Sequence, residues 1–115
     1  MTYSFQYFEL HTPNFENSKT FYGEMFNWRF KDLDLPGGRY ALSEGNGLQG
    51  GLMQDERPFW LNYVTVDNVE QAAQKAQRLG GKVLVTRTEV PGKGAFIVIA
   101  DPSGARLALW EEAKK

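Results

Sequence analysis

At 115 residues the chain is about one domain long, and its 13 basic and 14 acidic side chains leave a formal net charge of −1, with no basic run of the kind that tracks nucleic-acid phosphates or an anionic membrane. It has no cysteine, so neither a disulfide framework nor thiolate chemistry is available. No apolar stretch approaches the roughly 20 residues of a membrane span, and the N-terminus lacks the apolar core of a signal peptide, so a soluble cytoplasmic protein is the expectation.

Residues 3 to 12, YSFQYFELHT, read as a strand with Phe5, Tyr7, Glu9 and His11 on one face and Gln6, Phe8, Leu10 and Thr12 on the other. Pro13 stops it, and Asn14 is placed to cap a helix through its side chain. Phe15, Ser18, Phe21, Tyr22, Met25 and Phe26 then recur at helical spacing, and the stripe Phe15, Phe21, Phe26 reads as core. A short strand at Trp28-Arg29-Phe30 and a turn at Pro36-Gly37-Gly38 follow. Next come a strand from Arg39 to Ser43, a tight turn at Glu44-Gly45-Asn46-Gly47 and a return strand from Leu48 to Gln54.

Asp55-Glu56-Arg57-Pro58 is polar and breaks structure, as a linker does. Phe59 to Val66 is again a strand. Asp67 at the cap position with Glu70 three residues on makes a capping-box pattern, and Val69, Ala72, Ala73, Ala76 and Leu79 form the apolar stripe of a second helix. Gly80-Gly81 ends it through a left-handed backbone. Lys82 to Thr86 is a strand, and Pro91-Gly92-Lys93-Gly94 turns the chain into another from Ala95 to Ala100. The last stretch, ADPSGARLALWE, is a hairpin turned by Pro102, Ser103 and Gly104. In its outgoing strand Leu107 and Leu109 alternate with Arg106, Ala108 and Trp110.

That hairpin has a counterpart. Ser43 to Gly47 matches Ala100 to Gly104 in length and turn chemistry, with strands on both sides. The order β-α-β-β-β therefore occurs twice, in module one at about 3–54 and module two at about 59–112, within a single domain of residues 1–115.

Three stretches, TPNFENSKTFYGEMFNW, YVTVDNVEQAAQKAQRLGGKV and IADPSGARLALWE, together with Gln49-Gly50-Gly51-Leu52, resemble the vicinal oxygen chelate superfamily of glyoxalases, bleomycin resistance proteins and extradiol dioxygenases. The resemblance covers almost the whole chain. It implies an α+β fold of two tandem βαβββ modules whose curved mixed sheets form a cleft, and a homodimer. It is specific for fold and weak for function, because one fold hosts unrelated activities.

The resemblance also implies four places for metal ligands, on the first and last strand of each module. Counting back from Asn14 and Asp67 puts two of them at Tyr7 and Leu61, and the hairpin match puts the others at Gly51 and Ala108. A leucine, a glycine and an alanine offer no donor side chain, and a phenol with a pKa near 10 is a poor ligand at neutral pH. The metal site is therefore expected to be degenerate, and no cofactor is expected.

What remains on the cleft side are Tyr7, Glu9 and His11, with Tyr63 and Trp60 from the second module's first strand. Gln49, Arg106 and Trp110 flank them on the last strands. Aromatic walls with a few polar handles suit a small-molecule pocket or a dimer contact. Glu9 is the candidate acceptor or general base, with His11 tuning it; the alternative for both is an ordinary surface pair. Arg106 either clamps an anionic group of a ligand or pairs with Asp101.

The functional expectation is a superfamily member that binds a small organic molecule in the cleft without a metal. The alternatives are a metal-dependent lyase, isomerase or dioxygenase of the same superfamily, and a metal-independent enzyme using Glu9. No nucleic acid and no membrane partner are expected.

Overall fold

The computed structural model describes residues 2–35, 38–45 and 47–114. The chain divides into two compact units, Tyr7–Leu61 and Asn62 onward together with the residues before Tyr7. The fold is α+β, and each half repeats the order βαβββ.

The first half comprises β1 (Phe5–Thr12), α1 (Phe15–Phe26), β2 (Arg29–Leu35), β3 (Gly38–Glu44) and β4 (Gly50–Gln54). Its strands lie in the order β2-β3-β4-β1. β1 runs parallel to β4 with Glu9 opposite Gly51, and β3 runs antiparallel to β4 with Tyr40 opposite Met53 and Leu42 opposite Gly51. The predicted turns at 36–38 and 44–47 include Pro36, Gly37 and Asn46, which lie outside the described residues. Strand β2 extends well past Phe30 because it pairs residue for residue with β3.

The core of this unit is Leu10, Phe15, Ala41 and Leu52, with Tyr22 and Phe30 packed against it. The expected aromatic stripe is corrected here. Phe15 is 2% exposed, but Phe21, Met25 and Phe26 are 56%, 57% and 51% exposed. At 100° per residue Phe21 and Met25 lie about a sixth to a third of a turn round from Phe15 and Tyr22, which are the residues that meet the sheet. Phe26 sits in the last turn, where its ring meets Trp28 at 5.0 Å.

The second half comprises β5 (Phe59–Thr65), α2 (Val69–Arg78), β6 (Lys82–Val90), β7 (Gly94–Ala100) and β8 (Arg106–Glu112), with strands in the order β5-β8-β7-β6. Val69, Ala73, Ile97, Ile99 and Leu109 form its core. Leu79, expected in the buried stripe, is 68% exposed: it is the helix C-cap, and Gly80 at φ +95° turns the chain away.

Both helix starts differ from expectation. Asn68, not Asp67, caps α2, accepting from the Gln71 N–H at 2.9 Å. Asn14 precedes α1 without a side-chain cap bond. Instead the side chain of the last residue of β4, Gln54, accepts from the Phe15 N–H at 3.4 Å, and Glu111 in β8 accepts from the Val69 N–H at 3.0 Å. Each helix thus has its first amide satisfied from its own module's last strand. The same device occurs in both halves.

Candidate functional site

Strand alternation sends Leu10 under α1 and turns Tyr7, Glu9 and His11 to the opposite face of the first unit. Glu9 and His11 are 6% and 7% exposed, so the surface pair weighed from sequence is corrected. Polar groups buried this deeply need partners, and here they form a continuous chain. The Tyr7 and Tyr40 hydroxyls are 2.5 Å apart, and the Tyr40 hydroxyl donates to Glu9 Oε2 at 2.8 Å. Glu9 Oε1 lies 2.7 Å from His11 Nε2, and His11 Nδ1 lies 2.8 Å from Asp55 Oδ2. Phe59 stacks on the imidazole at 4.4 Å and 18°.

The electrostatics follow from this arrangement. Burial alone would pull the His11 pKa down, but the hydrogen bonds and charges of Glu9 and Asp55 outweigh it and hold the imidazole above its ordinary value. A doubly protonated ring donates from one nitrogen to each carboxylate, and it is this imidazolium form that the raised value favours. Burial pushes the Tyr7 phenol up to about 12; the Tyr40 hydrogen bond opposes that rise and the Glu9 charge adds to it. Burial and the Glu9 charge raise Tyr40 further still. Both tyrosines are therefore neutral hydrogen-bonding groups, not phenolates.

Gly51 explains how Tyr40 reaches Glu9. A Cβ on Gly51 would stand 2.6 Å from the Ala41 carbonyl oxygen and 2.6 Å from Tyr40 Cε1. The Tyr40 ring lies across the space a side chain at position 51 would fill.

The four positions expected from the resemblance do not fit a divalent cation. Tyr7 is a high-pKa phenol bonded to another phenol, and position 51 has no side chain and a ring in its place. Leu61 and Ala108 are apolar and 3% and 0% exposed. Among the described residues no group of three or more histidine, cysteine, aspartate or glutamate side chains is arranged to hold a metal ion. Glu9 opposes Gly51 in the first half and Tyr63 opposes Ala108 in the second, so the two parallel pairs are equivalent.

The other candidates are dispersed. Gln49 is exposed just before β4. Trp60 is 40% exposed and meets Tyr22 edge-on at 5.8 Å, with the helix-side aromatics. In the second unit Tyr63 is 8% exposed and meets Phe96 at 6.3 Å. Trp110 is half-buried between Thr65 and Phe96, and Arg106 is exposed at the start of β8. The Asp101 carboxylate accepts from the amides of Ser103 and Ala105 and from the Ser103 hydroxyl within its own turn. A hollow of about 450 Å³ on the helix side of the first unit, lined by Leu10, Thr12, Ser18, Phe21, Tyr22 and Pro58 among others, does not include the Glu9 chain.

Sequence reasoning missed Tyr40, Asp55 and Phe59. A signal was present for Tyr40: glycine at 51, where a side chain was expected, marks a close approach by something else.

Comparison with known proteins gives a consistent picture. The family model described as Glyoxalase/Bleomycin resistance protein/Dioxygenase superfamily matches residues 4–109. The chain is 29% identical over 113 residues to "Putative glyoxylase CFP32" of Mycobacterium tuberculosis, covering 90% of this chain and 43% of that protein. It is 27% identical over 126 residues to "Anthracycline biosynthesis protein DnrV" of Streptomyces peucetius, covering 92% and 46%. It thus spans less than half the length of these relatives. Among solved structures, methylmalonyl-CoA epimerase from Mycobacterium tuberculosis matches with TM-score 0.69 at 14% identity over 96% of this chain and 88% of that one. The Mn(II)-bound glyoxalase from Novosphingobium aromaticivorans matches with TM-score 0.66 at 17% identity over 96% and 40%. At these identities the structural likenesses speak to fold alone.

Proposed function

The chain belongs to the Glyoxalase/Bleomycin resistance protein/Dioxygenase superfamily, and on that premise we propose that it binds a small organic molecule without a metal. The binding face in this reading is that of Tyr7 and Tyr40, with Glu9 behind them as their charged acceptor. One observation carries the reading: the Tyr40 ring fills the space at Gly51 and delivers its hydroxyl to Glu9. An aromatic hydrogen-bonding wall thus stands where a ligand side chain would project. Such walls recognise organic groups by ring contact and by a few directed hydrogen bonds.

The test has two arms. Elemental analysis of the purified protein is expected to find no stoichiometric nickel, zinc, manganese or iron, and finding any of them overturns the reading. A small-molecule thermal-shift screen is expected to yield compounds that stabilise the wild type, since selective binding to the folded state raises apparent stability. Their affinity should fall about tenfold or more in Tyr40→Phe, the loss expected of one hydrogen bond to a polarised group.

A second reading is favoured by the geometry of Glu9. Its carboxylate is buried and aimed by His11 and Tyr40, as a metal-independent general base would be. Glu9→Gln separates the two: loss of turnover with affinity retained favours catalysis. The homodimer and the cytoplasmic location expected from sequence belong to this proposal. Light scattering tests the first and cell fractionation the second.

A further inference from the structure

The buried histidine makes a second attachment, beyond the one to Glu9. His11 is the only histidine in the chain, and it bridges two carboxylates of different standing. Glu9 is on its own strand and buried. Asp55 lies in the segment that leaves β4, and its side chain is 38% exposed. The backbone reinforces the second attachment, because the Asp55 N–H donates to the Thr12 carbonyl at 2.9 Å. Asp55 also holds the next residue, its Oδ1 accepting from the Glu56 N–H at 2.6 Å.

From β4 the residue opposite His11 is Met53, from β5 it is Phe59, and Tyr40 on β3 reaches Glu9. The titratable and charged groups of the first unit that face His11 are therefore Glu9 and Asp55, with Tyr40 and Tyr7 behind Glu9. Arg29, Lys31 and Glu44 share that sheet face by register, but on the far strands β2 and β3.

We infer that His11 is a proton-held clasp: its imidazolium fastens the segment from Asp55 to Pro58 onto β1 and joins that attachment to the charged carboxylate beneath the Tyr7–Tyr40 face. Two carboxylates can both accept from the ring only while both nitrogens carry protons. When one proton leaves, one carboxylate faces a lone pair. Asp55 is the one that gives way, because water can solvate it while Glu9 is enclosed.

The sign of the effect is fixed. The His11 pKa is raised above 6.5, so the stabilisation is fully present below that value and is lost as pH rises through the elevated one. The clasp is closed below the elevated pKa and opens as pH rises through it.

The experiment needs no ligand, so its outcome is separate from that of the ligand-binding reading. The full chain, labelled with ¹⁵N, gives a single imidazole to titrate by NMR. In the wild type both ring nitrogens should be protonated at pH 6.5, with a midpoint above that of an exposed histidine. The midpoint should fall in Asp55→Asn and fall further in Asp55→Asn combined with Glu9→Gln. Amide hydrogen exchange at position 55, corrected for intrinsic rate, should accelerate about tenfold as the wild type is taken through the midpoint. In Asp55→Asn it should be fast throughout. A wild-type midpoint at or below that of an exposed histidine overturns the inference, as does an exchange rate at position 55 that shows no step. Asp55→Asn alters a half-exposed side chain, so it decides the matter even where Glu9→Gln fails to fold.

Discussion

Replacing Gly51 by alanine adds one methyl group where two neighbours already stand. The new Cβ would be 2.6 Å from the Ala41 carbonyl oxygen and 2.6 Å from Tyr40 Cε1, both far inside van der Waals contact. The first neighbour is backbone of the adjacent strand and cannot swing away. The second is a ring anchored by its hydroxyl on Glu9. Overpacking of this kind costs about 2–3 kcal/mol, which for a domain of this size lowers Tm by roughly 10 °C. A double-mutant cycle assigns the cost. Tyr40→Phe keeps the ring in that space but frees it from Glu9, so in that background the Gly51→Ala cost should fall by no more than about 0.5 kcal/mol. Tyr40→Ala removes it, and the cost should fall by about 1 kcal/mol while the carbonyl clash remains. Urea denaturation of the four proteins in each cycle measures this. A Gly51→Ala cost below about 0.5 kcal/mol, or an unchanged cost in the Tyr40→Ala background, refutes the view that the ring occupies the space at position 51. Gly51→Glu, which introduces a carboxylate there, should be destabilised as well and should still bind no metal in elemental analysis.

Tyr40→Phe by itself deprives a buried carboxylate of a donor and should cost about 1.5–3 kcal/mol in chemical denaturation; near-neutrality would mean that water replaces the hydroxyl. The two helix starts should respond differently in thermal melts. Asn68→Ala should cost about 1 kcal/mol, whereas Asn14→Ala, which removes no cap bond, should stay within about 0.5 kcal/mol. The aromatics of α1 give a further contrast, with Phe15→Ala expected to cost about 3–5 kcal/mol and Phe21→Ser to stay within about 0.5 kcal/mol. Equal losses from the two phenylalanines would restore the aromatic stripe to the core.

Much of this molecule was legible in its residues. Alternation put Tyr7, Glu9 and His11 on one strand face, helical spacing marked α1 and α2, and matched turns marked the duplication. The two parallel strand pairs have equivalent registers, as a repeated element order implies. Such features are local or repeat at a fixed spacing, and so they survive in a one-dimensional reading. The same reading also named four positions where metal-binding side chains are absent. That needs only residue chemistry.

The contacts that make the site were decided by tertiary structure. Tyr7 and Tyr40 are 33 residues apart and His11 and Asp55 are 44 apart, and no local pattern links them. They meet because β4 lies between β1 and β3 and its glycine lets a ring cross it. The exposure of Phe21 and Met25 was likewise set by which side of α1 met the sheet, since helical spacing defines a stripe only loosely and packing selects the part that is buried. Helix capping followed the same rule: Gln54 and Glu111 reach their helices from the last strand of each module, a partnership that exists only once the sheet has formed.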